Sequence, residues 1–379
     1  MRIKTIFLAT LLVVGLASCG DDVEIIGRGE TIPEMVTLRS MYVLSEGTFN
    51  HADSRLAYFN LSDQVWDKTA YKSANDDTDL GETAEDLIIY GSKMYITLNG
   101  TDQIKVLDAQ SQKLLQEITL EQTSDAKVSP RFMVGAKGQV YISTWTRGIV
   151  VMDTLDYAIK NEIALTGAFS EEMVRIDDNL YVANSGNALT DGIGGQGTTV
   201  SIVSLDSETE TGTITVPTNP NKLRASADKK LYVSAWGDFF TTDASISEID
   251  IATKTVVKTW DDVICSQFCV AGNYLYCYHF SYMDFQYHYT RIDRTTRVTY
   301  PFLSEDQASE IGFQSPYSLS TDPVTQDFYI GDESGLLVHF SKDGGFIDSW
   351  KVNPEGQNAM RINHVIFVSK EVLAETITE

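Results

Sequence analysis

A tyrosine followed by a β-branched or small residue recurs along most of the chain, and this repeat constrains the fold more than any other feature. It occurs seven times at intervals of 40 to 53 residues, at Tyr42, Tyr95, Tyr141, Tyr181, Tyr232, Tyr276 and Tyr329. Each copy is preceded by a turn and a short apolar stretch. A period of this length is typical of repeat architectures, in which no single unit can bury its apolar surface alone.

Each tyrosine is followed by a second segment in which apolar and polar residues alternate, as in KVLD and VVMD. This alternation has the period of a β-strand, and no long stretch has the helical period. Aspartates stand where the hairpins would turn, at Asp108, Asp153, Asp206, Asp250 and Asp293. Aspartate suits such turns because its side chain can accept hydrogen bonds from the backbone just after it.

Seven units of four strands each predict an all-β fold, a seven-bladed β-propeller of four-stranded antiparallel blades over residues 38–370. The first unit lacks an inner strand before Tyr42, whereas residues 354–368 resemble the inner strands that open other units. We therefore expect residues 357–368 to join the first blade and close the ring. Residues 371–379 would follow as a C-terminal tail.

The N-terminal segment predicts a location outside the cytoplasm. Residues 1–18 have a basic start, an apolar run too short to cross a bilayer, and the letters LAS before Cys19. This pattern favours a lipoprotein signal peptide, with Cys19 lipidated, over an ordinary secretory cleavage site. Residues 19–37 would be the tether, in which Asp21 and Asp22 are either a surface-export signal or part of a solvated linker. We expect the chain to be held on the outer membrane by its lipid alone and to be exposed at the cell surface. Location on the periplasmic face of that membrane remains the alternative.

The charge and the cysteines narrow the function classes. The formal net charge of −24 repels nucleic acid and offers no basic patch to anionic lipid. Cys265, Cys269 and Cys277 do not have the spacing of a zinc site. Buried thiols are the favoured interpretation, and one disulfide among them stays open.

Candidate ligand-binding residues lie on the loops between the second and third strands, which share one face of a propeller. Functional residues favour loops on rigid scaffolds, and the spacing predicts the longest of these loops in blades 1, 4, 5 and 6. The candidates are Phe49, His51, Asn99, Trp145, Arg147, Asn184, Trp236, Phe239, Phe240, His279, Tyr282 and Phe285. For the neighbouring Tyr274, Tyr276 and Tyr278, packing between blades is favoured.

Sequence motifs give little support for catalysis. Gly192 to Gly197 satisfy G-x-G-x-x-G, but the next segment has the pattern of a strand, so nucleotide binding is rejected. A mobile loop that could serve as a lid is the preferred interpretation. Neither G-x-S-x-G nor H-E-x-x-H is present. His51 and His279 could together hold a metal ion, but two separate histidines without a metal are the favoured interpretation. The acidic run 75–86 could bind a cation, but a solvated loop is favoured there. No catalytic residue, metal or cofactor is predicted.

The repeat over residues 40–370, a Tyr-Val/Ile strand followed by Val/Ile-x-Asp and a turn, resembles the YncE-like propellers of the quinoprotein-amine-dehydrogenase-like superfamily. The letters YVLSEGTFN, together with the lipoprotein leader, resemble the surface-lipoprotein members of that branch. Some of these capture corrinoids such as cobalamin over a TonB-dependent transporter. The resemblance thus implies a non-enzymatic capture protein, with a corrinoid as the best ligand candidate and such a transporter as partner.

Two alternatives to corrinoid capture remain open. A surface scaffold that binds proteins or glycans would use the same aromatic loops. Ser45-Glu46-Gly47 also resembles the start of gluconolactonase-type propellers, in which Glu, Asn and Asp side chains hold a divalent cation, and Asn99 and Asn184 would supply amide ligands. Thr48 stands where those hydrolases usually have proline, and no fourth ligand is identified.

Overall fold

The computed structural model describes residues 38–121, 127–186, 197–238, 241–281, 285–357 and 360–369. The predicted leader (1–18), Cys19 with the tether (19–37) and the tail (371–379) lie outside the described residues. Phe239, Phe240, Tyr282 and the glycines from Gly192 to Gly195 lie outside them as well. Within the described part of the chain, no helix has the length and apolar character needed to cross a membrane.

Short strands form most of the described chain. In the first four blades they are β1 (Leu38–Ser45), β2 (Arg55–Asn60), β3 (Val65–Asp67), β4 (Ala84–Tyr90), β5 (Lys93–Leu98), β6 (Gln103–Asp108), β7 (Leu114–Thr119), β8 (Pro130–Ala136), β9 (Gln139–Thr144), β10 (Ile149–Asp153), β11 (Ile159–Ile163), β12 (Ser170–Ile176), β13 (Asn179–Asn184), β14 (Thr199–Ser204) and β15 (Thr209–Thr215).

The remaining strands are β16 (Pro220–Ala225), β17 (Leu231–Ala235), β18 (Ser245–Asp250), β19 (Thr255–Trp260), β20 (Gln267–Ala271), β21 (Tyr274–Ser281), β22 (Gln286–Asp293), β23 (Thr299–Pro301), β24 (Pro316–Thr321), β25 (Phe328–Asp332), β26 (Leu336–Phe340), β27 (Phe346–Lys351) and β28 (Ile362–Ser369). Two short helices connect blades, α1 (Ala70–Ala74) before β4 and α2 (Glu305–Ile311) before β24, and a 3-10 turn spans Asn99–Thr101.

The strands form seven antiparallel sheets of four, and the predicted propeller is confirmed. The inner strands β28, β4, β8, β12, β16, β20 and β24 contact one another in a closed ring. In blade 1 the order is β28-β1-β2-β3, so that both ends of the described chain share one sheet. Tyr42 pairs with Ile366 and Met41 with Phe367. The predicted closure is therefore confirmed, with the closing strand at Ile362–Ser369 rather than 357–368.

The repeated tyrosine lies on the second strand of its blade and is buried in all seven copies. In blades 1 and 6 its hydroxyl donates to a backbone carbonyl in the outer hairpin of the next blade, from Tyr42 to Ala109 at 2.9 Å and from Tyr276 to Lys342 at 3.0 Å. In blade 3 the Tyr141 hydroxyl donates to a carboxylate oxygen of the next blade. The repeat thus marks a recurrent joint between neighbouring blades.

The predicted aspartates cap the turns between third and fourth strands. The Asp293 carboxylate accepts hydrogen bonds from the N–H groups of Thr295 and Thr296, both at 2.8 Å. Asp108, Asp153 and Asp250 accept from the residues two and three places on in the same way. In blade 4 the Ser204 hydroxyl takes this role, and Asp206 instead pairs with Lys137 of blade 3.

Cys265, Cys269 and Cys277 are free and buried, as the favoured interpretation predicts. Burial raises the pKa of the Cys269 thiol to about 12. Burial, followed by the contact with Cys265, also raises the pKa of Cys277. Cys269 and Cys277 are therefore protonated core side chains rather than nucleophiles, because the thiolate is the reactive form.

Replacing Tyr276 with Phe should test the joint between blades 6 and 7. The change removes the hydrogen bond to Lys342 and keeps the ring, so we expect the free energy of unfolding to fall by about 1–2 kcal/mol, measured by chemical denaturation. Tyr300→Phe, on an exposed outer strand of the same blade, is the matched control and should be neutral. Equal losses in both variants would mean that the hydroxyl joint adds nothing.

Candidate functional site

We call the mouth face the face that carries the starts of the inner strands and the loops between second and third strands. These meet because the two strands are antiparallel, so that Ala84 at the start of β4 pairs with Leu98 at the end of β5. In blades 1 to 5 and 7 the ladder shifts register at this point. Such bulges redirect side chains, and the residues at them are Glu85, Arg131, Glu171, Asn221, Tyr317 and Asn363.

Arg131 joins three blades through a buried ion triad. Its guanidinium lies 2.7 Å from a Glu85 oxygen in blade 2 and 3.0 Å from a Glu171 oxygen in blade 4. Glu171 is only 4% exposed and also accepts from the Trp145 indole N–H at 3.1 Å and from the Ser185 hydroxyl at 3.0 Å. Burial raises the pKa of Glu85, although Arg131 and Lys222 act in the opposite direction.

Lys222 reaches across to the side chain of a blade that is not its neighbour in the ring. Its ammonium lies 4.4 Å from the ring centroid of Phe132, which belongs to blade 3, whereas Lys222 belongs to blade 5. The two side chains therefore meet past the intervening blade. Lys222 is 9% exposed, and it takes part in none of the ion pairs found among the described residues. Burial lowers the pKa of Lys222, against the opposing effect of Glu172 and Glu85.

Glu172 and Asn221, two neighbours of Lys222, differ in their hydrogen-bond and ion-pair partners. Glu172 pairs with Arg224 and accepts from the Leu223 N–H at 2.9 Å. Asn221 is 5% exposed, and its side-chain oxygen is buried without a hydrogen-bond partner. A buried polar atom without a partner is costly, and Asn221 shares this property with Thr83, Asn184 and Ser318. Asn221 differs from these three because a buried ammonium, that of Lys222, follows it directly in the chain.

A second polar contact links blades 7 and 1 at the mouth. The Tyr317 hydroxyl donates to a Glu46 carboxylate oxygen at 2.5 Å, and the Arg361 guanidinium lies 5.3 Å from the Tyr317 ring centroid. Burial, followed by the nearby Glu46 charge, raises the pKa of Tyr317. Tyr317 therefore stays protonated and keeps its role as a donor.

Several predicted ligand-binding residues do lie on the mouth face. Phe49, on the loop between β1 and β2, is 72% exposed, and Phe285, beside β22, is 74% exposed. His51 is exposed near Phe49 in the same loop. Trp145 is half-buried, and the Arg131 guanidinium lies 5.0 Å from its ring. These residues form an aromatic rim above the charged floor of the mouth.

Other predicted residues are used in contacts between strands and blades. The Trp236 indole donates to the Ser266 carbonyl at 2.8 Å, and the Asn99 amide donates to the Pro130 carbonyl at 3.2 Å. Each contact reaches the start of the next blade's inner strand. These two residues pin the mouth loops in place, an arrangement that leaves the rest of the Trp236 ring half-buried.

The side chains of Arg147 and Asn184 make contacts within their own blades. Arg147 forms a two-point ion pair with Glu162 on the outer strand of its own blade. Asn184 is fully buried, where its amide donates to the Ser201 hydroxyl at 2.8 Å. Both follow the end of a second strand in the sequence, but their side chains are held within the blade.

Blade 6 differs from the sequence expectation in one respect. Its additional residues lengthen the β21–β22 hairpin by extending both strands, and only residues 282–285 separate them. His279 is half-buried on this hairpin, directly opposite His288. Phe280 packs against Tyr287 with ring centroids 5.0 Å apart, so it belongs to the strands rather than to a loop.

The sequence analysis did not identify the charged floor formed by Glu85, Arg131, Glu171 and Lys222. The available signal was a charged residue at the second or third position of an otherwise apolar inner strand, as in AEDLIIY, PRFMVGA and SEEMVRI. Charged residues are rarely buried unless they are paired. Their recurrence at one position of a repeat therefore indicates a common buried cluster.

A separate hollow of about 720 Å³ lies beside α1 and is lined by Thr69, Lys72, Ser73, Asp76, Asp77 and Gln357. It contains part of the acidic run 75–86 and no aromatic side chain. Among the described residues, no group of three or more His, Cys, Asp or Glu side chains is placed to hold a metal ion. The hollow suits a large flat ligand less well than the aromatic rim does.

Comparisons with known proteins agree on the fold. A family model described as "Domain of unknown function (DUF5074)" matches residues 39–344. Among solved structures, the hydrazine synthase of Kuenenia stuttgartiensis is similar with a TM-score of 0.57 and 16% identity, covering 74% of this chain and 93% of that chain. At this identity the likeness shows the fold alone. No curated protein matches the chain.

Arg131→Met should be the most destabilising single change at the mouth. It leaves Glu85 and Glu171 buried without their cation, and breaking a buried ion pair costs about 3–5 kcal/mol. The loss, measured by denaturation at pH 7, should shrink at acidic pH because protonated carboxyl groups need no cation. Arg147→Met is the control and should lose much less, since Glu162 is open to water. Similar losses in both would contradict the importance of the triad.

Lys222→Met should stabilise the protein at neutral pH. The folded state lowers the pKa of Lys222, so folding opposes its protonation, and this penalty is complete below the folded-state pKa. It fades as the pH rises toward the ordinary lysine pKa of about 10.4. The melting temperature of the variant should therefore exceed that of the wild type at pH 7, with a smaller difference at pH 10. A lower melting temperature at both pH values would show that the ammonium is well satisfied.

Proposed function

Since the chain belongs to the DUF5074 family, whose description assigns no activity, we propose a function from the site itself: capture of a ligand at the mouth face. The observation that carries the proposal is the combination of an exposed aromatic rim with a charged floor. Phe49 and Phe285 are largely exposed, and Lys222 of blade 5 contacts Phe132 of blade 3 across the intervening blade. A basin of this kind can hold a ligand.

The best ligand candidate is a corrinoid such as cobalamin. A corrinoid is a wide, flat macrocycle with an apolar ring and several amide arms. Aromatic side chains bury 150–250 Å² each, which suits the ring, and ligand sites combine such surfaces with a few well-placed polar groups. The rim and the floor offer both kinds of contact. No covalent chemistry is required of the protein.

Lipid anchoring through Cys19 would place this basin outside the cell, on the outer membrane. A capture protein at that location needs a route inward, and a TonB-dependent transporter is the partner that fits a ligand too large for porins. Lipid attachment by more than one chain gives stable anchoring. The acidic body, with its net charge of −24, suits exposure to water rather than contact with an anionic membrane surface.

A surface scaffold that binds proteins or glycans is the second candidate. The exposed rings of Phe49 and Phe285 favour it, because aromatic residues are also typical of protein interfaces. The contacts of the lactonase-type residues give that hydrolase candidate no support. Glu46 is bound by Tyr317, the Asn99 amide is bound to the Pro130 carbonyl, and Asn184 is fully buried.

Titration of cyanocobalamin into the purified chain, followed by calorimetry, tests the proposal. We expect one-to-one binding that Phe285→Ala weakens about tenfold, which corresponds to about 1.4 kcal/mol. Phe346→Ala is the matched control, because Phe346 is equally a surface phenylalanine but lies on the outer strand β27. Absence of heat at high micromolar concentration would reject corrinoid capture. Equal weakening by both substitutions would remove the mouth face as its site.

A further inference from the structure

The floor of the mouth holds one unused donor beside one unused acceptor. Lys222 presents an ammonium with no ion-pair partner among the described residues, and its ring contact with Phe132 uses the charge but not its N–H donors. The preceding residue, Asn221, has a side-chain oxygen without a hydrogen-bond partner. Both side chains are more than nine-tenths buried. They are also consecutive residues at the register shift of β16, where the strict alternation of side chains between the two faces of a strand is interrupted.

Carboxylates outnumber cations around this pair. The carboxylates are Glu46, Glu85, Asp86, Glu171 and Glu172, and the cations are Arg131, Arg224, Arg361 and Lys222. A ligand group that brings a full negative charge would meet buried carboxylates within the same cluster. A group that brings a positive charge would meet the Lys222 ammonium. The floor is therefore complementary to a neutral group that can both donate and accept.

We infer that Asn221 and Lys222 form a subsite for a primary carboxamide of the captured ligand. The ligand carbonyl accepts from the Lys222 ammonium, and the ligand amide N–H donates to the Asn221 oxygen. A carboxylate can accept but cannot donate, so it leaves the Asn221 oxygen unpaired and adds charge beside Glu85. The subsite selects amides over acids, because a site with buried hydrogen-bonding groups rejects an analogue that leaves them unpaired. This inference rests on the capture function proposed above.

The first test compares two corrinoids in calorimetry. Dicyanocobinamide carries primary amides, and dicyanocobyrinic acid has the same ring with carboxylic acids. Wild-type protein should prefer the amide form at pH 7 by at least tenfold. Asn221→Leu should reduce that preference to less than threefold, because it removes the acceptor that only the amide N–H can pair, whereas the surface substitution Lys229→Met, in the turn between β16 and β17, should keep it. Binding of both ligands with equal affinity, or an unchanged preference in Asn221→Leu, would overturn the subsite while leaving corrinoid capture intact.

The second test does not depend on the corrin ring. Nicotinamide and nicotinate differ only in the group of interest, and saturation-transfer NMR at millimolar concentration detects weak binding. We expect transfer to nicotinamide in the wild type, little transfer to nicotinate, and loss of the nicotinamide signal in Lys222→Met and Asn221→Leu. No transfer to nicotinamide would overturn the subsite. A nicotinamide signal without any corrinoid binding would keep the subsite and reject the corrinoid.

Discussion

Every inner strand of the propeller has one edge without a neighbouring strand. The backbone groups on that edge need hydrogen-bond partners, and this need shapes the lining of the channel. Buried backbone N–H groups must find acceptors. A side chain of the preceding blade supplies them: Asp86 accepts from the Met133 N–H at 2.7 Å, and Glu172 accepts from the Leu223 N–H at 2.9 Å. Acids placed there for the backbone become buried charges, which in turn require cations. The buried carboxylates of Asp86 and Glu172 therefore follow from the geometry of the ring, before any ligand is considered.

The sequence predicts the ring well because the features that build it repeat in each blade. The buried tyrosine and the capping aspartate do the same work in successive units, so their spacing reveals the number of blades and the polarity of the strands. The substitution of Ser204 for aspartate in blade 4 shows that the turn needs an acceptor rather than a particular residue. Closure by β28 was also predictable, since the first unit lacked a strand that the C-terminal segment could provide.

The floor was not predicted, because its partners are adjacent only after the ring has closed. Arg131 and Glu171 are 40 residues apart in sequence and lie on neighbouring blades. No local pattern shows that pairing. Arg147 and Asn184 illustrate the opposite limit, and a ligand-binding role for them stays a prediction. Their position after a strand end is visible in the sequence, but the side chains turn to Glu162 and Ser201 within the blade. Position along a repeat predicts where a backbone goes better than where a side chain points.

The division between floor and rim has a consequence for how such a propeller can change its ligand. A site held rigid before binding loses less entropy when the ligand arrives, and the Arg131 triad provides that rigidity. The same triad joins three blades, so a change in it alters stability together with binding. Asn221 and Lys222 differ from the triad, because among the described residues neither takes part in the ion pairs or hydrogen bonds that join the blades, and loss of the Lys222 ammonium is expected to raise stability rather than lower it. The rim residues Phe49 and Phe285 also lie outside the contacts that join the blades, because their side chains are largely exposed. Specificity can therefore vary at these positions while the ring that supports them stays intact.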